Sequence, residues 1–103
     1  ISVNMEDIFY FEYGQNRRVK LVATTGTWYL SSSMKSLEKQ MESYGFLVPH
    51  KSFLVNPRQI LSFGAEIQMK NHEMIPIAKN RRKQVHEQIS TYLHNSLNIN
   101  WRD

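Results

Sequence analysis

The chain has 103 residues, a formal charge of +4, 41% hydrophobic and 21% charged residues, and no cysteine. That length suits one domain, able to bury roughly 65% of the surface its unfolded form exposes. The absence of cysteine excludes disulfide scaffolds, thiolate zinc sites, iron–sulfur centres and thiol nucleophiles, and the scarcity of glycine (4) and proline (3) excludes collagen-like and linker-like chains.

The elements read in chain order as follows. Ile8–Glu12 is aromatic and β-branched and predicts a strand, with Tyr13–Asn16 as a turn in which Gly14 and Asn16 supply the unusual backbone angles. Val19–Thr25 alternates and predicts a second strand, Gly26 punctuates it, and Thr27–Leu30 predicts a third. Met34, Leu37, Met41 and Tyr44 recur at spacings of three and four, one face of a short helix capped by Ser33 and ended by Gly45. Extended structure resumes at Phe46–Val48 and is interrupted by Pro49. Ser52–Asn56 predicts a buried strand bounded by Pro57, with Asn56 satisfying a turn. Ile60–Phe63, Glu66–Met69 and Glu73–Ile77 predict further strands, with Lys70-Asn71-His72 as the last hairpin turn. From Asn80 the period becomes helical: Val85, Ile89, Tyr92 or Leu93, and Leu97 share one face, while Arg81, Arg82, Lys83, Glu87 and His94 share the other. The expected class is mainly β (α+β): antiparallel strands, one short internal helix and a C-terminal amphipathic helix.

No stretch approaches the roughly 18 apolar residues of a membrane span. Ile1–Glu12 has no basic region leading into an apolar one, so a cytoplasmic protein is expected. The first residue is Ile1 rather than an initiator Met, which suggests a piece of a longer protein. Residues 1–48 carry five basic and five acidic groups, whereas residues 49–103 carry eight basic and four acidic, so the whole excess lies in the second half. A basic excess points to an anionic partner, nucleic acid first.

Catalytic patterns are missing. His86-Glu87 has no second histidine four residues on, and His50, His72 and His94 have no ligand spacing, so no metal and no cofactor are expected. The glycines are isolated, so there is no phosphate loop, and no Gly-x-Ser-x-Gly elbow occurs. The carboxylates offer no acid–base pair, and an enzyme is not expected.

Three basic clusters fall at loop edges: Asn16-Arg17-Arg18, then His50-Lys51-Ser52, then Lys79-Asn80-Arg81-Arg82-Lys83. Arg and Lys can neutralise phosphates and bond the guanine edge, and Asn can pair with adenine. The plain alternative for such clusters is a solvated surface.

The motifs then resemble a known family. Asp7-Ile8-Phe9-Tyr10-Phe11-Glu12 is similar to the opening I-x-Y-I-E, and Ser33–Tyr44 to its sL-x-x-L helix. Gly45 through Asn56 resembles G-F-x-R-x-H-R-S-x-x-V-N, and Ile75-Pro76-Ile77-Ala78-Lys79 the closing x-P-V-S-R. In order and spacing these blocks resemble the LytTR DNA-binding domain over residues 5–93, leaving 98–103, with Trp101, as a C-terminal extension of a single domain at 1–103.

The resemblance implies an elongated assembly of small antiparallel sheets that binds double-stranded DNA through loops entering successive major grooves. It implies paired direct repeats as sites, a role as a bacterial response-regulator output domain in transcription, a receiver domain upstream if the chain is a fragment, and a monomer or weak dimer that pairs on DNA. By position it brings Arg17, Arg18, His50, Lys51, Ser52, Lys79 and Asn80 to DNA, with Arg81 and Lys83 as phosphate contacts. Arg18 and Lys79 are the leading base-contact candidates, and His50 reads equally as a loop-orienting residue. Lys79 stands where the family often has Arg, Ala78 where it has Ser, and Val48-Pro49 where a basic residue is usual. Lys lacks the forked donor pair of Arg, which weakens or alters readout there. The rival reading is a protein-interaction module using the same basic face on an acidic partner.

Overall fold

A computed structural model describes residues 2–97. Its strands are β1 (Ile8–Tyr13), β2 (Val19–Ala23), β3 (Gly26–Leu30), β4 (Leu47–His50), β5 (Phe53–Val55), β6 (Ile60–Phe63), β7 (Glu66–Met69) and β8 (Met74–Pro76). Its helices are α1 (Met34–Met41) and α2 (Arg82–Leu97). Every strand pair is antiparallel: one sheet runs β3-β2-β1-β5-β4, and a second runs β6-β7-β8. The fold class expected from the sequence is the one observed, and the described chain measures 51 × 33 × 25 Å. The 98–103 extension, Trp101 included, lies outside the described residues, and so does the side chain of Leu97.

Strand alternation sends apolar residues to both faces of the larger sheet, so both faces are covered. On one face Ile8, Phe11, Val19, Leu21, Ala23 and Leu54 pack with Leu37 and Phe46, with Met34 and Met41 of α1 alongside. On the other, Tyr10, Val22, Leu47 and Val55 pack against Ile67, Met69 and Ile75 of the smaller sheet and against Ile77, Val85 and Ile89. The result is three layers, with the five-stranded sheet in the middle. Phe9 departs from the alternation. Between the Ile8–Ala23 and Tyr10–Val22 pairs it is an extra residue, a bulge that lets both Phe9 and Tyr10 join the inter-sheet core. His86 docks α2 on the β6–β7 turn: its Nε2 donates to the Gly64 carbonyl at 2.6 Å, and its ring meets Phe63 edge-on.

Several local expectations are corrected. Pro49 does not interrupt its strand but lies inside β4, which is a sheet edge, at a register shift between Leu47 and His50. An edge position with a bulge tolerates a missing N–H. The left-handed residues of the first turn are Asn16 (φ 60°) and Arg17 (φ 55°), not Gly14. The second strand ends at Ala23 rather than Thr25, and Gly26 begins β3 instead of separating strands; a Cβ there would sit 3.3 Å from the Trp28 ring. Tyr44 leaves the buried face of α1 because Glu42–Tyr44 tightens into a 3₁₀ turn, whose larger rotation per residue swings it out to 44% exposure. Gly45, at φ 77°, then closes the helix as expected. On α2 it is Tyr92 that turns inward, while Leu93 is exposed.

Two buried polar groups tie the layers together. Asn56, fully buried, donates from Nδ2 to the carbonyls of Ile8 (2.8 Å) and Met5 (3.3 Å), and its Oδ1 accepts from the Arg58 backbone N–H (3.1 Å). Arg58 also donates from Nη1 to the Tyr44 carbonyl at 2.8 Å. Tyr10 donates its hydroxyl to Glu73 Oε1 at 2.8 Å, and Asn71 donates to the same oxygen, fastening the β7–β8 turn to the middle sheet. Burial first, then the Glu73 hydrogen bond, then the charges of Glu73 and Glu12 push the Tyr10 phenol well above its ordinary value of 10.0.

Removing the Asn56 side chain strands buried carbonyls and an amide. Asn56→Ala is therefore expected to cost about 2–4 kcal/mol, read by urea unfolding, from at least two hydrogen bonds left without partners. Tyr10 generates a pH prediction. Below pH 10 the phenol is protonated in both folded and unfolded chains; above it the unfolded chain ionises first while the fold retains the proton. Stability should therefore fall as pH rises beyond 10, by up to about 1.4 kcal/mol per pH unit from this group. Tyr10→Phe should flatten that alkaline slope while costing about 1 kcal/mol at neutral pH.

Candidate nucleic-acid interface

The antiparallel registers bring ends of all five strands to one end of the larger sheet. Tyr13 pairs with Val19, and Val19 with Leu30, while Glu12 lies opposite Phe53 and Phe53 opposite His50. The β1–β2 turn, which carries Arg17 and Arg18, and the β4–β5 turn, which carries Lys51 and Ser52, thus sit side by side. A backbone hydrogen bond joins them, from the Tyr13 N–H to the Ser52 carbonyl at 2.9 Å.

The third cluster arrives by a separate route. After β8 the chain runs along the free edge of β4, where the Ala78 N–H donates to the Pro49 carbonyl at 2.8 Å and Arg81 Nη1 donates to the Val48 carbonyl at 3.0 Å. Lys79 and Asn80 lie between these two anchors, which hold them to the half of β4 that ends at His50. All three basic clusters of the sequence converge, although long stretches of chain separate them.

Their side chains differ in freedom. Arg17, Arg18, Lys51, Lys79, Asn80 and Lys83 are exposed; His50, Ser52 and Arg81 are half-buried. Arg17 is projected from a left-handed backbone, which costs a non-glycine residue about 1 kcal/mol or more. Arg81 spends one guanidinium nitrogen on β4, so it braces the third loop as well as charging it. His50 Nδ1 accepts the Ser52 N–H at 3.1 Å, and its ring meets Phe53 edge-on at 5.8 Å, which fixes the turn that presents Lys51. With Nδ1 acting as acceptor, the neutral ring carries its proton on Nε2. The Lys79–Arg81 turn leads into α2 without a side-chain cap, because Ala78 has no oxygen to offer. The positive end of the helix thus adds to the cationic field there.

The register also reveals residues that strand alternation alone did not single out. Tyr29, Lys20, Glu12, Phe53 and His50 form a cross-strand row on one face, with Arg18 one step nearer the sheet end. Lys20 Nζ lies 3.8 Å from Glu12 Oε1, and Tyr29 is 60% exposed. The Arg18–Lys20 spacing of two residues was the available signal, but it needed the partner strands to acquire meaning.

Among the described residues no group of three or more His, Asp or Glu side chains could hold a metal ion, and no helix is long and apolar enough to cross a membrane. The exposed side chains at this end of the sheet offer cations and an amide to a polyanion.

Comparison with curated proteins returns no match. Among solved structures the fold is similar to the LytTr DNA-binding domain of a protein from Bacillus cereus described as a methyl-accepting/DNA response regulator. The TM-score is 0.68 and the identity 20%, over 96% of this chain and 88% of that one. The family model for the LytTr DNA-binding domain matches residues 1–90, and the chain accordingly belongs to the LytTR DNA-binding domain family.

Proposed function

We propose that this domain binds double-stranded DNA sequence-specifically through the three converging loops, which enter successive major grooves, and that it regulates transcription as the output domain of a bacterial response regulator. The observation that carries the reading is the convergence itself: exposed Arg17, Arg18, Lys51, Lys79 and Asn80 occupy one end of a sheet whose loops are joined by backbone hydrogen bonds. Backbone bracing leaves the cationic side chains free to meet DNA. In this reading Arg18 and Lys79 reach base edges, Arg17, His50, Lys51, Ser52 and Asn80 support them, and Arg81 and Lys83 meet phosphates. The family match and the likeness to a domain from a response regulator support the same assignment. Paired direct repeats are the expected sites, bound by adjacent copies that are monomeric or weakly dimeric alone, and a receiver domain upstream in a longer cytoplasmic protein would supply the signal.

Selection of a random duplex library near physiological salt should recover a defined motif, with repeats spaced about one helical turn apart. Binding without enrichment would instead favour the acidic-partner reading. On the selected duplex Lys79→Ala should weaken binding by about 1–3 kcal/mol while scarcely changing affinity for a scrambled duplex. Lys83→Ala should weaken both alike and reduce the salt slope by about 1. Equal losses for Lys79→Ala on both duplexes would reduce Lys79 to a phosphate contact.

A further inference from the structure

We propose that Arg18, Lys20 and Tyr29 form a phosphate-binding notch beside the β1–β2 turn, and that Glu12 attenuates it. This inference rests on the DNA-binding reading and extends the contact surface onto the face of β2 and β3.

Glu12, Gly14, Arg18, Lys20 and Tyr29 line one shallow depression. Arg18 and Lys20 point the same way because they are two apart in extended chain, while Val19 between them is fully buried on the opposite face. Tyr29 is paired directly with Lys20 across the β2–β3 ladder, and its hydroxyl has no hydrogen-bond partner among the described residues. Gly14 borders the depression, and a Cβ there would meet nothing within 4 Å. Two cations and a phenolic donor thus face one space. A single phosphate accepts from donors of just this kind.

Glu12 is the one anion in the notch. Its contact with Lys20, at 3.8 Å, is the only ion pair among the described residues. It is longer than a charge-assisted hydrogen bond, roughly 2.7–2.9 Å. Both side chains are also about one-third exposed, at 34% and 36%. Such a pair contributes little, so a polyanion competes easily for Lys20. Glu12 then remains as a weak repulsive charge that sets affinity without reading sequence. The same cross-strand row continues through Phe53 to His50, so a backbone seated in the notch would pass directly to the β4–β5 turn.

The test measures binding of the purified domain to labelled selected and scrambled duplexes over a salt series, with thermal melts verifying the fold of each variant. Lys20→Gln keeps the side-chain stem and should weaken both duplexes about 3- to 10-fold at low salt, lowering the salt slope by about 1. Tyr29→Phe should weaken both about 2- to 5-fold, as loss of one hydrogen bond. Glu12→Gln should tighten both about 2- to 10-fold, a gain that shrinks as salt screens it. The notch is overturned if Lys20→Gln and Glu12→Gln leave affinity and salt slope unchanged while Lys79→Ala still weakens the selected duplex. It is also overturned if Lys20→Gln changes the preference between duplexes, since that would make Lys20 a base contact. Failure of the unmodified domain to bind any duplex would overturn the DNA-binding reading itself and the notch with it.

Discussion

The relation between the two sheets depends on Asn56. The chain leaves the five-stranded sheet at Val55 and turns through Pro57–Gln59 into β6, and at that crossing a fully buried side-chain amide ties the departing strand to β1 and to the turn before it. Its backbone N–H completes the anchor by donating to the Phe9 carbonyl at 3.1 Å. An aspartate has no donor for the Ile8 and Met5 carbonyls, and an apolar residue has neither donor nor acceptor. Because this crossing sets where the smaller sheet lies, it also sets where β8 ends and where the segment carrying Lys79 meets β4. A group far from the candidate interface thereby positions one third of it.

The interface divides labour between main chain and side chains. The bonds that bring the loops together, Tyr13 to Ser52 and Ala78 to Pro49, use backbone groups only. The side chains that help them, His50 on the Ser52 amide and Arg81 on the Val48 carbonyl, are the half-buried ones. What remains exposed is mostly cationic. A scaffold of this sort holds loop geometry steady while the outward residues vary, and that is how loop-based recognition acquires specificity on a common frame.

Much of this was legible in the sequence because it is local. The alternation at Val19–Ala23, the spacing of Leu37 and Met41, and the Val85–Ile89 stripe each state a secondary structure and a buried face. The loop clusters were visible too, as charge interrupted by Asn and Ser. What local pattern does not encode is pairing at a distance. That β1 accepts β5 as its second neighbour, that Phe9 bulges, and that Pro49 tolerates an edge position are all set by the partner strand. The left-handed Arg17 was hidden for a related reason: Gly14 is the residue that pattern favours, but the turn is closed by the Gly14 N–H bonding the Arg18 carbonyl, which shifts the strain onto Asn16 and Arg17. Lys20 and Tyr29 read as ordinary strand residues until register placed them together.

The route by which Lys79 reaches the interface has a kinetic corollary. Like the Tyr13–Ser52 junction of the first two loops, the Ala78–Pro49 junction that seats the third joins residues far apart in the chain. Contacts of such long sequence separation form late and slow the folding of β-rich domains. The candidate interface is therefore among the last parts of the molecule to be assembled, and an incompletely folded chain would carry much of the positive charge without the arrangement that brings the three loops to one end of the sheet.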